Sequence, residues 1–301
     1  MKVYINRQPK HGPWGGGAKT VNKLVELLLH KGHTVVYELQ EGIDVIFCMD
    51  PRPNHRGEWY QHFLDYRFEN KNTKIVQRVG DVGTHSKPHL TDMVRQTLPH
   101  SDHFIFPSKW AKEWIGFESE NFDIINNAPM QIFYENRKLD LKLSEQVSVV
   151  THHWSTNPKK GFDIYQKFEE WCKDQNISFH YIGQVPPGVV FENYTKPISA
   201  EQLSVVLPKH DIYLTASQEE AGANHVLEAL AVGLPVVYRD TGGSINNYCH
   251  PYGEEYSTFD GMVDKVQKVI GHYDTYKSEV LKYVDNNDNV IERYCDIIEK
   301  I

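Results

Sequence analysis

The chain is poor in the features that mark several common protein classes. It has four cysteines in 301 residues (Cys48, Cys172, Cys249 and Cys295), each at least 46 residues from the next. That spacing excludes a zinc ribbon and offers no disulfide framework, so a reducing cytoplasm is the expected compartment. No apolar run approaches the ~18 residues that a membrane helix needs. The leucine-rich stretch around Leu24–Leu29 is short and broken by Glu26. Met1-Lys2-Val3-Tyr4 reads straight into a strand with no signal-peptide core. There is no HExxH and no clear DxD, and Pro88 lies between His85 and His89, so no metal site is expected. Basic residues are not in excess: 32 Lys and Arg face 40 Asp and Glu, a net charge of −8. A nucleic acid is therefore not an expected partner.

What is present describes a folded, two-domain chain. Forty per cent apolar residues and 12% aromatics suffice to bury real cores, and 24% charged residues argue against disorder. The length fits about two domains. Charge is divided unevenly. Residues 1–147 carry 19 basic and 18 acidic side chains, whereas residues 148–301 carry 13 and 22. A small positive bias in residues 1–98 (14 basic, 10 acidic) would tolerate an anionic acceptor or a peripheral membrane contact.

Both halves alternate strand and helix. In the first, strands are expected at Lys2–Arg7, Thr34–Leu39, Val45–Met49, Lys74–Arg78, His103–Pro107 and Asp123–Asn127. A Gly-rich loop leads into a helix near Ala18–Lys31 that Gly32 closes, and Ser108 should cap a helix at Lys109–Ile115. In the second half, strands are expected at Val147–Thr151, Ser178–Ile182, Asp211–Thr215 and Leu234–Tyr238. Helices are expected at Phe162–Lys173, Ala200–Val206, Asn224–Val232 and Gly261–Ile270. The order implies parallel sheets built by βαβ crossovers, an α/β protein of two Rossmann-like, doubly wound domains. Residues 1–140 would form the first domain and 147–285 the second. Residues 286–301 would form a closing helix that returns to the first. Two such domains facing across a cleft would bring strand C-termini and helix N-termini together, where phosphates bind well.

The chemistry concentrates in Ser217–Gly243, SQEEAGANHVLEALAVGLPVVYRDTGG. Glu220 precedes a helix, and Glu228 lies about one turn inside it. Val226, Ala229 and Leu230 form an apolar stripe that leaves Glu228 off the packed face. Two such carboxylates can accept hydrogen bonds from ligand hydroxyls at the helix start. Gly222 before the helix, the run Leu227–Val237 and the pair Gly242-Gly243 complete the pattern.

This stretch resembles the retaining glycosyltransferases of family 4, which have the GT-B fold and carry E-x7-E, an LEAMA-CGLPVV-type run and a GG loop. The resemblance implies that Glu220 contacts the transferred sugar and Glu228 the ribose of a nucleotide-sugar donor, with helix amides near Gly222, Ala223 and Asn224 facing the donor. Where the family continues GG-x-x-E, Asn246 stands at the Glu position. A second match is HHWSTNPKKG, residues 152–161, in which Lys160-Gly161 fits the family's KG pair on the donor diphosphate. His153 to Ser155 stand where the family has an Arg, and His153 and Ser155 are expected on the donor side. A third match, HGPWGGGAK, residues 11–19, follows the first strand; the resemblance places Gly15, Gly16 and Gly17 behind the diphosphate. Their lack of a side chain permits close approach. Read instead as a dinucleotide fingerprint, Gly15-x-Gly17 with Glu38 beyond lacks the third glycine, since Thr20 stands there. Gln77 holds the position where many relatives have His, and Arg78 and Asp81 beside it are candidates for acceptor contact.

The implied activity is transfer of a sugar from a UDP-, GDP- or other nucleotide-diphosphate sugar to a carbohydrate, lipid-linked or small-molecule hydroxyl. No further cofactor and no metal are expected. Glu220, Lys160 and Arg78 would carry catalysis. Negative charge grows on the departing diphosphate, so fixed positive groups must meet it. Glu220 would orient sugar hydroxyls rather than attack. Two readings stay open beside it: a nucleotide-sugar epimerase on the same architecture, and a non-catalytic nucleotide-sugar-binding module, suggested by the missing Arg, Asn246 and Gln77. A Rossmann oxidoreductase is the outsider.

Overall fold

A computed structural model describes residues 1–10 and 16–301. The chain divides into two compact units, Met1–Asn127 with Asp288–Ile301, and Ala128–Asn287. Among the described residues each unit is built on one six-stranded sheet.

In the first unit the strands are β1 (Lys2–Ile5), β2 (Thr34–Val36), β3 (Val45–Cys48), β4 (Lys74–Arg78), β5 (His103–Phe106) and β6 (Phe122–Ile124). They lie in the order β2-β1-β3-β4-β5-β6, all parallel. The helices are α1 (Gly16–His30), α2 (Tyr60–Glu69), α3 (Pro88–Thr97) and α4 (Lys109–Ile115), with α12 (Asn287–Lys300) from the end of the chain. Apolar residues fill one face of this sheet, with Tyr4, Ile46, Phe63 and Ile75 in a single cluster. The first strand ends two residues before the sequence reading. Asn6 leaves the ladder because its amide accepts from the Met49 backbone N–H at 2.8 Å and donates to the Asp50 carbonyl at 2.5 Å. β2, an edge strand, and β6 are also shorter than expected.

Helix α1 begins at Gly16, so Gly16 and Gly17 are helical residues rather than part of a loop. Helices α2 and α3 lay outside the sequence reading. Pro88 opens α3 instead of breaking it, because the first helical position needs no N–H. His85 precedes that helix and His89 is inside it, so the two do not share a helical face. At α4 the expected cap is present: the Ser108 side chain accepts from the Ala111 N–H at 3.0 Å.

In the second unit the strands are β7 (Val147–His153), β8 (Ile177–Gly183), β9 (Tyr194–Thr195), β10 (Ile212–Thr215), β11 (Val236–Arg239) and β12 (Gly253–Tyr256), in the parallel order β12-β11-β10-β7-β8-β9. The helices are α5 (Gln131–Glu135), α6 (Phe162–Cys172), α7 (Ala200–Val206), α8 (Asn224–Ala231), α9 (Ser244–Cys249), α10 (Phe259–Gly271) and α11 (Tyr273–Val280). Alternation along the strands divides the core between two faces. Val150, Tyr213 and Val236 pack with α8 on one side. Val149, Ile212, Leu214 and Val237 pack against Tyr165, Phe168 and Val266 on the other.

Residues 128–140, assigned to the first half on sequence grounds, lie in the second unit. Arg137 explains why. Its guanidinium donates to the carbonyls of Ala231 (2.8 Å), Leu281 (2.9 Å) and Tyr283 (2.6 Å), anchoring this polar, unpatterned stretch on the ends of α8 and α11.

Candidate functional site

The strand orders fix where a ligand would sit. In the second sheet the chain runs outward from β7 through β8 to β9, then returns to build β10, β11 and β12 on the other flank. The order reverses between β7 and β10. In open α/β sheets ligands bind beyond the carboxyl ends of the strands at such a switch point, because loops diverge there and leave a crevice. The segments leaving these two strands are 154–161 and 216–223, and they contain the residues that the sequence motifs single out.

Lys160 closes a short 3-10 turn, Pro158–Lys160, that Asn157 caps by accepting from the Lys159 N–H at 3.0 Å. Gly161 follows with φ +82°, and a Cβ there would lie 2.4 Å from that of Ala216. The glycine of the KG pair is thus required by both its backbone and the approach of the strand β10 exit. That approach brings Lys160 to Glu220, with the ammonium donating to the carboxylate. Lys160 is 8% exposed and Glu220 9%, so Lys160 is a buried, paired lysine rather than a solvated loop residue. Alongside them Lys159 pairs with Glu219.

Backbone bonds hold Glu219 and Glu220 from the opposite side. Glu219 N–H donates to the Thr241 carbonyl at 2.8 Å and Glu220 N–H to that of Gly242 at 3.1 Å, while Ser244 N–H donates to the Glu220 carbonyl at 2.9 Å. The Gly242-Gly243 loop is therefore the backbone partner of Glu220. Asn246 lies in α9, where its amide donates to the Asp240 carbonyl at 3.0 Å and to Glu255 at 2.7 Å.

Glu228 does not lie off the packed face of its helix. It is 9% exposed, and every residue from His225 to Ala231 is buried. The short helices α5 and α9, absent from the expected elements, pack on α8, and the end of β7 meets Glu228 itself through His152. Glu228 lies 2.9 Å from Nε2 of His152, whose Nδ1 lies 3.1 Å from the Tyr213 hydroxyl. Ala223, the N-cap of α8, makes no side-chain cap bond. Gly222 and Asn224 flank it and are half-buried.

Sequence reasoning missed the layer beneath. His225 Nε2 lies 3.1 Å from Thr215 Oγ1, and its ring packs on His153 at 4.8 Å between centroids. Burial, the largest influence, pushes the His225 pKa down to about 3, so the ring is neutral. His153 is buried against the Tyr165 hydroxyl at 2.7 Å, and the same hydroxyl accepts from the Ala216 N–H at 2.8 Å. Burial pushes Tyr165 up to about 12. His153 is therefore a floor residue joining β7, α6 and the β10 exit, and nothing in its sequence position distinguishes this from a ligand contact. Ser155 is half-buried in the loop above and accepts from the Asn157 N–H at 3.2 Å.

The remaining predicted residues belong to the first unit. Gly15 lies outside the described residues; Gly17 is exposed, and no atom of the described residues lies within 4 Å of where a Cβ would project. Arg78 is buried at the end of β4. Its guanidinium donates to the Tyr294 hydroxyl at 3.1 Å and to Asn127 at 3.2 Å, joining α12 to the sheet. This sheet reverses order between β1 and β3. The loops there carry a cluster that no motif revealed, in which Arg52 donates to Asp50 at 2.9 Å and Arg7 lies 3.5 Å from the same carboxylate.

Two parallel sheets with these strand orders and surrounding helices are the architecture of the GT-B glycosyltransferase fold. No protein-family model and no curated protein matches the chain. Among solved structures it is similar to WaaG, a glycosyltransferase involved in lipopolysaccharide biosynthesis, with a TM-score of 0.70 and 16% identity over the whole of both chains. It is also similar to sucrose-phosphate synthase from Thermosynechococcus elongatus, with a TM-score of 0.70 and 12% identity over all of this chain and 98% of the other. A third is HepE of Anabaena, solved with UDP and glucose, with a TM-score of 0.65 and 12% identity over 100% and 99%. At these identities the likeness establishes the fold.

Proposed function

We propose that the chain is a glycosyltransferase that moves a sugar, with retention of configuration, from a nucleotide-diphosphate sugar to a hydroxyl acceptor. The observation that carries this reading is the convergence at the β7/β10 switch point of two carboxylates and a lysine, Glu220, Glu228 and Lys160, beside the start of α8. Such a crevice suits a polyhydroxylated, anionic ligand: carboxylates for sugar hydroxyls, an ammonium and helix amides for the diphosphate. HepE has been solved with UDP and glucose and with UDP-glucose, which supports UDP as the first nucleotide to test.

In the proposed reaction the bond from the anomeric carbon to the β-phosphate oxygen breaks. The acceptor oxygen bonds to the same face of that carbon, and its proton passes to the departing phosphate. The protein's task is to meet charge on that phosphate. A helix dipole contributes about 0.3–1 kcal/mol, up to ~2 when partly buried. A preorganised donor aimed at the developing charge contributes about 2.7–4 kcal/mol. Lys160 therefore has the larger share, and a donor phosphate must compete with Glu220 for its ammonium. Glu220 then turns to the sugar hydroxyls and Glu228 to the ribose. No protein nucleophile and no metal is called on. Four buried, unpaired cysteines suit a reducing compartment such as the cytoplasm.

The test is a thermal-shift panel of UDP, GDP, ADP, TDP and NAD(P), followed by donor hydrolysis. A ligand at 100 times its Kd adds about 2.7 kcal/mol of stability. Stabilisation by one nucleoside diphosphate, with slow release of sugar from the matching donor, is expected. Binding without turnover would favour a non-catalytic module, sugar isomerisation an epimerase, and stabilisation by NAD(P) alone would overturn the proposal.

A further inference from the structure

A second cluster of ligating groups lies in the first unit, on the closing helix. Cys295 and Glu299 are four residues apart on α12 and so share one helical face. That face meets His33, which stands between α1 and β2. A ring nitrogen of His33, the Cys295 Sγ and a Glu299 carboxylate oxygen all lie within 4.8 Å of one another. The Nε2 is 2.8 Å from Glu299 Oε1, and the Nδ1 is 3.4 Å from the Met1 nitrogen.

We propose that His33, Cys295 and Glu299 form a site for a borderline-soft divalent metal, zinc or its analogue cobalt, which fastens α12 to the segment leading into β2. One imidazole, one thiolate and one carboxylate are a donor set that suits such ions better than magnesium or calcium. Bonds of about 2.0–2.3 Å in a tetrahedron place ligand atoms roughly 3.4–3.7 Å apart. The His33–Glu299 contact must therefore open by under an ångström and the widest separation close by about one. Rotation of the half-exposed Glu299 side chain can supply this. Water would be the fourth ligand.

The cluster already attracts positive charge. Lys31 Nζ lies 2.9 Å from Glu299 and 3.9 Å from Asp296, so its ammonium occupies the position a metal would contest. Its side chain is one-third exposed and can swing into solvent. Ligation through Nε2 releases the Cys295 proton to solvent and leaves the neutral His33 ring with its proton on Nδ1, so the Met1 amino group, 3.4 Å away, turns from Nδ1 into solvent.

The experiment titrates metal-stripped, untagged protein with Co²⁺ and with Zn²⁺, independently of any sugar chemistry. Saturable one-to-one binding is expected, with a near-ultraviolet sulfur-to-cobalt charge-transfer band and a raised melting temperature. Cys295→Ser should abolish the band, and His33→Gln and Glu299→Gln should each weaken binding at least tenfold. Glu299→Gln changes an exposed group and keeps the test valid if the buried cysteine variant folds poorly. Lys31→Met, which removes the competing cation, should tighten binding. Lack of saturable binding at micromolar metal, or binding that His33→Gln and Glu299→Gln leave unchanged, would show only an ion-pair clamp and overturn the proposal.

Discussion

Replacing Lys160 by Met should affect stability and catalysis separately, and the structure gives the size of each effect. The Lys160 and Glu220 side chains are 10% and 11% exposed, so removing the lysine leaves a carboxylate buried without its countercharge. Breaking a buried pair this way costs about 3–5 kcal/mol. For a unit of this size each kcal/mol lowers Tm by about 2–4 °C, so Lys160→Met should melt roughly 6–20 °C lower. Neutralising the partner as well, in Lys160→Met with Glu220→Gln, should restore much of that, because the uncompensated charge is gone. Catalysis should not return. Loss of a preorganised positive group at the leaving phosphate corresponds to roughly 10²–10³ in kcat. Melting curves and single-turnover transfer on the wild type, both single variants and the double variant form the cycle. Sugar transfer within tenfold of wild type in a folded Lys160→Met variant would refute the role assigned to the lysine. An unchanged Tm would refute the buried pair.

Gly161→Ala should lower stability by more than the ~1 kcal/mol of an ordinary left-handed glycine, because the new Cβ also meets Ala216 at 2.4 Å; a melting temperature within 1 °C of wild type would contradict this. Burial pushes the pKa of His225 and of His210 down to about 3, below the ~6.5 of the unfolded chain. The unfolded state therefore binds more protons between pH 3 and 6.5, and stability should be full above pH 6.5 and fall as the pH drops through that window. At pH 5 each histidine accounts for on the order of 1–2 kcal/mol. The slope of Tm against pH should flatten in His225→Gln and in His210→Gln, and equal slopes in all three proteins would count against this origin.

Much of the architecture was legible in the residues themselves. Short apolar runs between helical patterns dictated parallel sheets, and Ser108 signalled its helix start, because those signals depend on neighbours within one turn or one strand. The motifs likewise marked Lys160, Gly161, Glu220 and Glu228. What sequence could not carry was the environment of each. Whether Lys160 is wet depends on Glu220, sixty residues away, and on a glycine that lets the Ala216 backbone come close. Whether Glu228 faces solvent depends on where His152, seventy-six residues away, is carried by β7. The neutral His225 and its partner Thr215 carry no local signature, since a buried histidine and a surface one read alike. Periodicity is a property of the chain, whereas burial and pairing belong to segments that meet only in the folded protein. For that reason the sequence determined the strands, the crossovers and the positions of the motifs, and the tertiary structure decided which charges are paired and which side chains support the site from below.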